Sequence, residues 1–252
     1  MTVRRPNAFW WNISKFAVWA FSKVWFRLRV EGREHWPTDG PVIVVANHSS
    51  YLDPPMVGIS SPRWLLFLAQ AGLARFGPAR WWMARVGVTL IDRDAPSKEA
   101  LRLLSDSLRA GHPVGIFPEG TRSADGAVGP FRSGAEFLVR RSRAPVLPVG
   151  IDGSHRAMPR TAWLPRPRKI VVRFGAPWTS EQVLAPGGIE ALRREVARLA
   201  NAPLADVPSP ERGEAPSATE AEGRSPESAG SAAARSHSSA VGASESRRRQ
   251  SS

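Results

Sequence analysis

Short runs of consecutive apolar residues alternate with amphipathic segments along most of this chain. Pro41-Val42-Ile43-Val44-Val45-Ala46 is entered through the turn signal Asp39-Gly40-Pro41 and reads as a buried strand. Further strands are expected over 26–31, 64–69, 87–91, 113–117 and 145–151, and 170–174 alternates as one more. Leu101, Leu104 and Leu108 recur at helical spacing, which predicts a helix over 97–110 that stops at Gly111. Other helices are expected over 72–85, 134–141 and 180–199. Strands alternating with helices predict the α/β class, a layered sheet with flanking helices. No internal repeat is visible.

The two ends differ from this body. Residues 8–28 hold Trp10, Trp11, Phe16, Trp19, Phe21, Trp25 and Phe26, interrupted by Lys15 and Lys23 and closed by Arg27 and Arg29. No window there reaches the roughly 18 uncharged apolar residues of a membrane-spanning helix. Aromatic residues mixed with cations suit an amphipathic helix lying among lipid headgroups. A helix packed on the protein's own core would show a similar pattern. Arg80-Trp81-Trp82-Met83-Ala84-Arg85 could extend the same surface. From residue 201 the chain runs to Ala, Ser, Pro, Glu and Arg without an aromatic residue, a composition that cannot offset the entropy of ordering. The expected organisation is a membrane-associating segment over 1–28, a single domain over 29–200 and a disordered tail over 201–252.

Charge narrows the partners. The net charge is +13, and the tail, with six arginines against seven acids, carries none of that excess. A basic body suits nucleic acid, an anionic membrane or an acidic substrate. No Gly-rich RNA motif or basic recognition helix is present, which sets nucleic acid aside. Lysine is confined to positions 15, 23, 98 and 169, and arginine, the better bidentate phosphate ligand, supplies the rest. With no cysteine there is no disulfide, thiolate metal site or cysteine nucleophile. The apolar start also lacks a small-residue cleavage site, so a cytoplasmic protein is expected.

Two candidate sites follow predicted strands. Asn47-His48-Ser49-Ser50-Tyr51-Leu52-Asp53 comes after 41–46, and Phe117-Pro118-Glu119-Gly120-Thr121-Arg122-Ser123 comes after 113–117. Ligands of open α/β sheets gather at the carboxyl ends of strands. Five residues separate His48 from Asp53, too far for one helix face, so His48 is placed in the loop and Asp53 at the next helix start. Asp53, before Pro54 and Pro55, has the form of an N-cap. Its carboxylate could equally accept the His48 ring N–H, fix the tautomer and leave the other nitrogen free as a base. In the second motif Gly120 permits close backbone approach, Thr121 offers a hydroxyl, and Arg122 offers a planar fork for phosphate. Glu119 would repel a phosphate, so it is expected to orient Arg122 or touch an acceptor hydroxyl.

As an ensemble these motifs resemble the glycerolipid acyltransferases, specifically the bacterial 1-acylglycerol-3-phosphate acyltransferases. The match runs in order over residues 25–180. It comprises His48 through Asp53, Gly87 through Arg93, Phe117 through Ser123 with Phe131-Arg132-Ser133-Gly134 behind it, and Val146 through Ile151. The resemblance implies His48 as general base with Asp53 as its orienter. It also implies Arg93, Gly120, Thr121 and Arg122 around an acceptor phosphate, with Arg132 standing where the family usually has lysine. A further lysine of the family is replaced by Gln70.

The implied reaction moves an acyl group from acyl-CoA or an acyl-carrier protein to lysophosphatidate, giving phosphatidic acid for phospholipid biosynthesis. No other cofactor and no metal is expected. A thioester is already activated, and without a Gly-x-Ser-x-Gly elbow direct attack on it is expected. The protein would sit peripherally on the cytoplasmic face of the membrane. Gln70 leaves open another lyso-lipid acceptor, and a catalytically idle membrane-binding protein is the reading from a different class.

Overall fold

The apolar run at 41–46 becomes β2 (Ile43–Ala46), and every one of its residues is buried. The structure, a computed structural model, describes residues 7–70, 89–91 and 97–206. β2 lies at the centre of a seven-stranded sheet with β1 (Arg29–Glu31), β3 (Leu66–Gln70), β4 (Thr89–Ile91), β5 (Val114–Ile116), β6 (Val146–Asp152) and β7 (Val171–Phe174). The order is β1-β7-β6-β2-β5-β3-β4, and neighbours run parallel except for β6 and β7.

Side-chain alternation assigns the two faces of the sheet. Val44 and Ala46 join Leu147, Val149 and Ile151 in a core covered by Met56 and Val57 of α2 (Asp53–Ser60). Ile43 and Val45 face the other way. They share a core with Leu104 and Leu108 of α3 (Ser97–Arg109), Leu138 of α4 (Ser133–Ser142) and Val196 near the carboxyl end. The expected layered α/β architecture is therefore present. A short α5 (Ser154–Ala157) follows β6.

Three boundaries differ from the sequence reading, each for a local reason. The first strand starts only at Arg29, because Phe26 still caps the leading helix and Arg27 turns left-handed at φ 48° to end it. The helix expected over 180–199 is two, α6 (Ser180–Leu184) and α7 (Gly188–Ala200). Ala185-Pro186-Gly187 breaks it, with Gly187 at φ 76°. Residues 201–206, read as tail, instead return to the domain. Arg193 of α7, only 2% exposed, donates to the carbonyls of Val128, Gly129 and Ala205 and holds that return in place. The tail from 207, the helix expected over 72–85 and the Arg80–Arg85 stretch lie outside the described residues.

The leading helix α1 (Ala8–Trp25) begins at an Asn7 cap and packs on α2. Its protein-facing side is mixed, with Val18 packed on the core beside polar residues. Ser22 is fully buried, and Lys15 donates to the Ser61 carbonyl at 2.7 Å. Burial, helped by the nearby Arg33 charge, lowers the Lys15 pKa. The exposed residues are mainly apolar, with Phe9, Phe16 and Val24 at 65%, 68% and 82% exposure, and Asn12 and Lys23 are exposed among them. Among the described residues no helix is long and apolar enough to cross a membrane.

Gly150 of β6 sits directly under α7; a Cβ there would lie 2.1 Å from the backbone of both Leu199 and Ala200. Gly150→Ala is expected to force α7 off the sheet and destabilise the domain by at least about 1–3 kcal/mol. Thermal unfolding followed by circular dichroism measures this, and an unchanged Tm would mean that α7 does not approach β6 so closely.

Candidate active site

Because β6, β2 and β5 are adjacent and parallel, the turns that leave their carboxyl ends emerge side by side. Three sets of bonds lock these turns together. The Asn47 side chain pairs with both backbone groups of Ile151, accepting from N–H at 2.8 Å and donating to C=O at 3.1 Å. Ser49 and Ser154 hydroxyls meet at 3.2 Å, and Ser50 donates to the Met158 carbonyl. On the β5 side, Ser123 N–H donates to the His48 carbonyl at 2.7 Å.

The sequence placed His48 in the loop and Asp53 at the helix start, and both positions are observed. His48 Nδ1 lies 3.0 Å from Asp53 Oδ2, with Asp53 completely buried and the His48 side chain 19% exposed. The same Oδ2 accepts the N–H groups of Ser49 and Ser50, each at 2.7 Å. Asp53 therefore bonds the turn before it and does not cap its own helix, whose N-cap is Leu52. The His48 ring stacks on Phe117 at 4.3 Å between centroids, and Phe117 stacks on Phe67 at 5.5 Å. Gly115 leaves the space that Phe67 occupies, since a Cβ there would come within 2.2 Å of that ring. With Nδ1 engaged by the carboxylate, an Nδ1–H tautomer presents Nε2 as an acceptor at the sheet edge.

Glu119 has a different occupation from the one expected of it. Oε1 accepts the His48 N–H at 2.8 Å and Oε2 the Gly129 N–H at 3.0 Å. It is 6% exposed, and burial raises its pKa above the ordinary 4.5 while the two amides oppose that rise. Among the described residues it makes no bond to Arg122. The carboxylate fastens the two motifs to each other.

Arg122 rests on a ring. Its guanidinium carbon stands 3.6 Å from the centroid of Tyr51, and its buried Nη1 has no partner among the described residues. A cation held by an aromatic face, with no carboxylate against it among the described residues, is available to an anion. Gly120 adopts φ 73°, and what approaches it is Arg132, whose Nε would lie 2.7 Å from an added Cβ and bonds the Glu119 carbonyl. Thr121 is exposed. Gln70 closes β3 on the same edge of the sheet, in register with Ile91. Arg93 lies outside the described residues. Among the described residues no cluster could hold a metal ion.

Sequence reasoning left several contributors without a role. The pairing of Asn47 across to β6 depends on strand order, which no local pattern carries. Tyr51 had a signal, as the single tyrosine of the chain, set between the histidine and the aspartate.

This chain belongs to the acyltransferase family, whose profile matches residues 27–152, half of its length. It is 31% identical over 147 residues to the chloroplastic 1-acyl-sn-glycerol-3-phosphate acyltransferase of Brassica napus, covering 56% of this chain and 42% of that protein. It is 35% identical over 138 residues to human 1-acyl-sn-glycerol-3-phosphate acyltransferase alpha, covering 49% and 44%. The chain thus spans less than half the length of these two relatives. The fold resembles the crystal structure of the 1-acyl-sn-glycerophosphate acyltransferase of Thermotoga maritima, with a TM-score of 0.64, 28% identity and coverage of 75% of this chain and 77% of that one.

Glu119→Gln keeps the shape of the side chain but leaves one of the two amides facing an NH₂ group, an expected loss of about 1–3 kcal/mol. A raised folded pKa means that the folded chain holds this proton to a higher pH than the unfolded chain does. The resulting stability is fully present below 4.5 and is lost as pH rises through the folded value. Denaturant unfolding at stepped pH should show this decline in the wild type and not in Glu119→Gln; equal slopes would exclude Glu119 as its source.

Proposed function

We propose that the chain transfers a fatty acyl group from an acyl thioester to the hydroxyl of 1-acylglycerol-3-phosphate, giving phosphatidic acid. The observation that carries this reading is a buried carboxylate–histidine pair together with an arginine that, among the described residues, no carboxylate neutralises. The first is a poised base and the second a phosphate receptor. The names of the similar plant, human and Thermotoga proteins agree with that substrate.

In the proposed mechanism Nε2 of His48 takes the proton from the acceptor hydroxyl as its oxygen attacks the thioester carbonyl. A C–O bond forms, the C–S bond breaks, and the departing thiolate recovers the proton from the imidazolium. Asp53 holds the ring in the Nδ1–H tautomer and balances the charge that the ring acquires. Arg122, and Arg132 beside it, receive the acceptor phosphate, and Arg93 is expected to join them. Glu119, Gly120 and Thr121 shape the turn that presents these groups. The donor is acyl-CoA or an acyl-carrier protein, and no metal is required.

The apolar outer side of α1 supports peripheral attachment to an anionic membrane, which would bring the site to the surface where lyso-lipids reside. Phe16→Ser combined with Val24→Ser should weaken co-sedimentation with phosphatidylglycerol vesicles at least about tenfold while leaving Tm unchanged. Retained binding would move the membrane contact away from α1.

Thiol release from acyl-CoA, with detergent-purified protein and a panel of acceptors, tests the chemistry. With no cysteine in the chain, every thiol detected comes from the donor. Release should require lysophosphatidate and fall by about 10²- to 10⁴-fold in His48→Ala. Turnover with another lyso-lipid only would keep the mechanism and change the acceptor, directing attention to Gln70. Near wild-type turnover in His48→Ala would exclude the general-base role.

A further inference from the structure

Between α5 and β7 the chain makes an excursion whose tip is Trp163-Leu164, and these side chains are 93% and 74% exposed. Trp163 is the most exposed large apolar residue among those described. A tryptophan held this far into water by its own backbone has no folding role, and nothing in the core needs it. The loop is nevertheless shaped: Ala162 N–H donates to Pro159 C=O and Arg166 N–H to Ala157 C=O, closing its base.

The position of the loop gives it meaning. Its root is tied to the active site, because Ser50 of the histidine turn donates to the carbonyl of Met158. Its far side touches α1, where Trp25 Nε1 donates to the Pro165 carbonyl at 3.4 Å. The tip therefore continues the apolar outer side of α1, where Val24 and Trp25 remain exposed. Cations surround it: Arg160, Arg166, Arg168 and Lys169 are all exposed and, among the described residues, none is in an ion pair. No acidic residue occurs from Gly153 through Ser180.

We propose that the Trp163–Leu164 loop is a second membrane-inserting element, with an anionic phospholipid bilayer as its partner. Indole and leucine enter the interface while the flanking arginines and Lys169 meet lipid phosphates. One helix lying on a surface can roll about its axis, whereas a helix and a separate loop define a plane. Since the loop is bonded to the His48 turn, that plane fixes how the site faces the bilayer. This inference rests on the membrane attachment of α1 proposed above.

The absence of native cysteine permits single-site labelling with an environment-sensitive fluorophore. Leu164→Cys reports on the loop, Val24→Cys on α1, and Arg140→Cys on α4 in the opposite layer. With phosphatidylglycerol/phosphatidylethanolamine vesicles, the probes at 164 and 24 should shift to the blue and be quenched by brominated lipid, and that at 140 should not. Response at 24 without response at 164 overturns the loop and leaves α1 standing. Response at neither overturns both. A probe at 164 that responds to an acidic carrier protein and not to vesicles also overturns the proposal.

Trp163→Ser combined with Leu164→Ser should reduce vesicle affinity about tenfold. It should lower turnover of acceptor presented in vesicles while sparing acceptor dispersed in detergent. An equal loss in both formats would make the loop a structural part of the site and overturn the assignment.

Discussion

The turn after the central strand has buried amides and no regular secondary structure to satisfy them, and the site depends on what does. Three side chains take up the work. Glu119 accepts the N–H of His48, Asp53 accepts those of Ser49 and Ser50, and Asn47 reaches to Ile151. Each supporting group comes from a different segment, so the turn has its shape only when β2, β5, β6 and α2 are all assembled. A buried polar network of this kind rigidifies through its satisfied members, here all but Asp53 Oδ1, which is buried with no partner among the described residues. It also carries information, because the direction of the His48 ring follows from the same bonds.

Seen this way, the motifs divide between support and display. Asn47, Glu119 and Asp53 point into the protein and are consumed by backbone groups. The His48 Nε2 and the Arg122 guanidinium are what remains, while Arg132 spends its Nε on the Glu119 carbonyl. The charges follow the same division. Both oxygens of the buried Glu119 are spent on amides, so it does not neutralise Arg122, which is held instead by the face of Tyr51. An ion pair would have positioned that arginine as firmly but would have competed with an incoming phosphate.

Much of this was readable from the chain because the relevant signals are local. Buried strands over 43–46, 114–116 and 146–152 announce themselves as short apolar runs, and the leucine spacing gives α3 directly. The His48–Asp53 pair follows from a turn followed by an aspartate at the helix start. What escaped was non-local or a competition between signals. Glu119 was judged by its own charge, whereas its partners lie on other segments, at His48 and Gly129. The expected helix over 180–199 ran through the break at Pro186-Gly187, which divides it. The polar composition after residue 200 concealed a return of the chain to the domain, held by one buried arginine. The orientation of α1 follows from what it packs on, not from its composition.

That arginine ties the end of the domain to its centre. Arg193 binds the carbonyls of Val128 and Gly129, and Gly129 is the residue whose amide meets Glu119. The same guanidinium holds Ala205. A chain cut where the last helix ends would strip a buried cation of one acceptor and open its surroundings to water, within three bonded steps of the histidine turn. The shortest self-sufficient version of this domain therefore has to keep the six residues past α7, although nothing in their composition marks them as part of it.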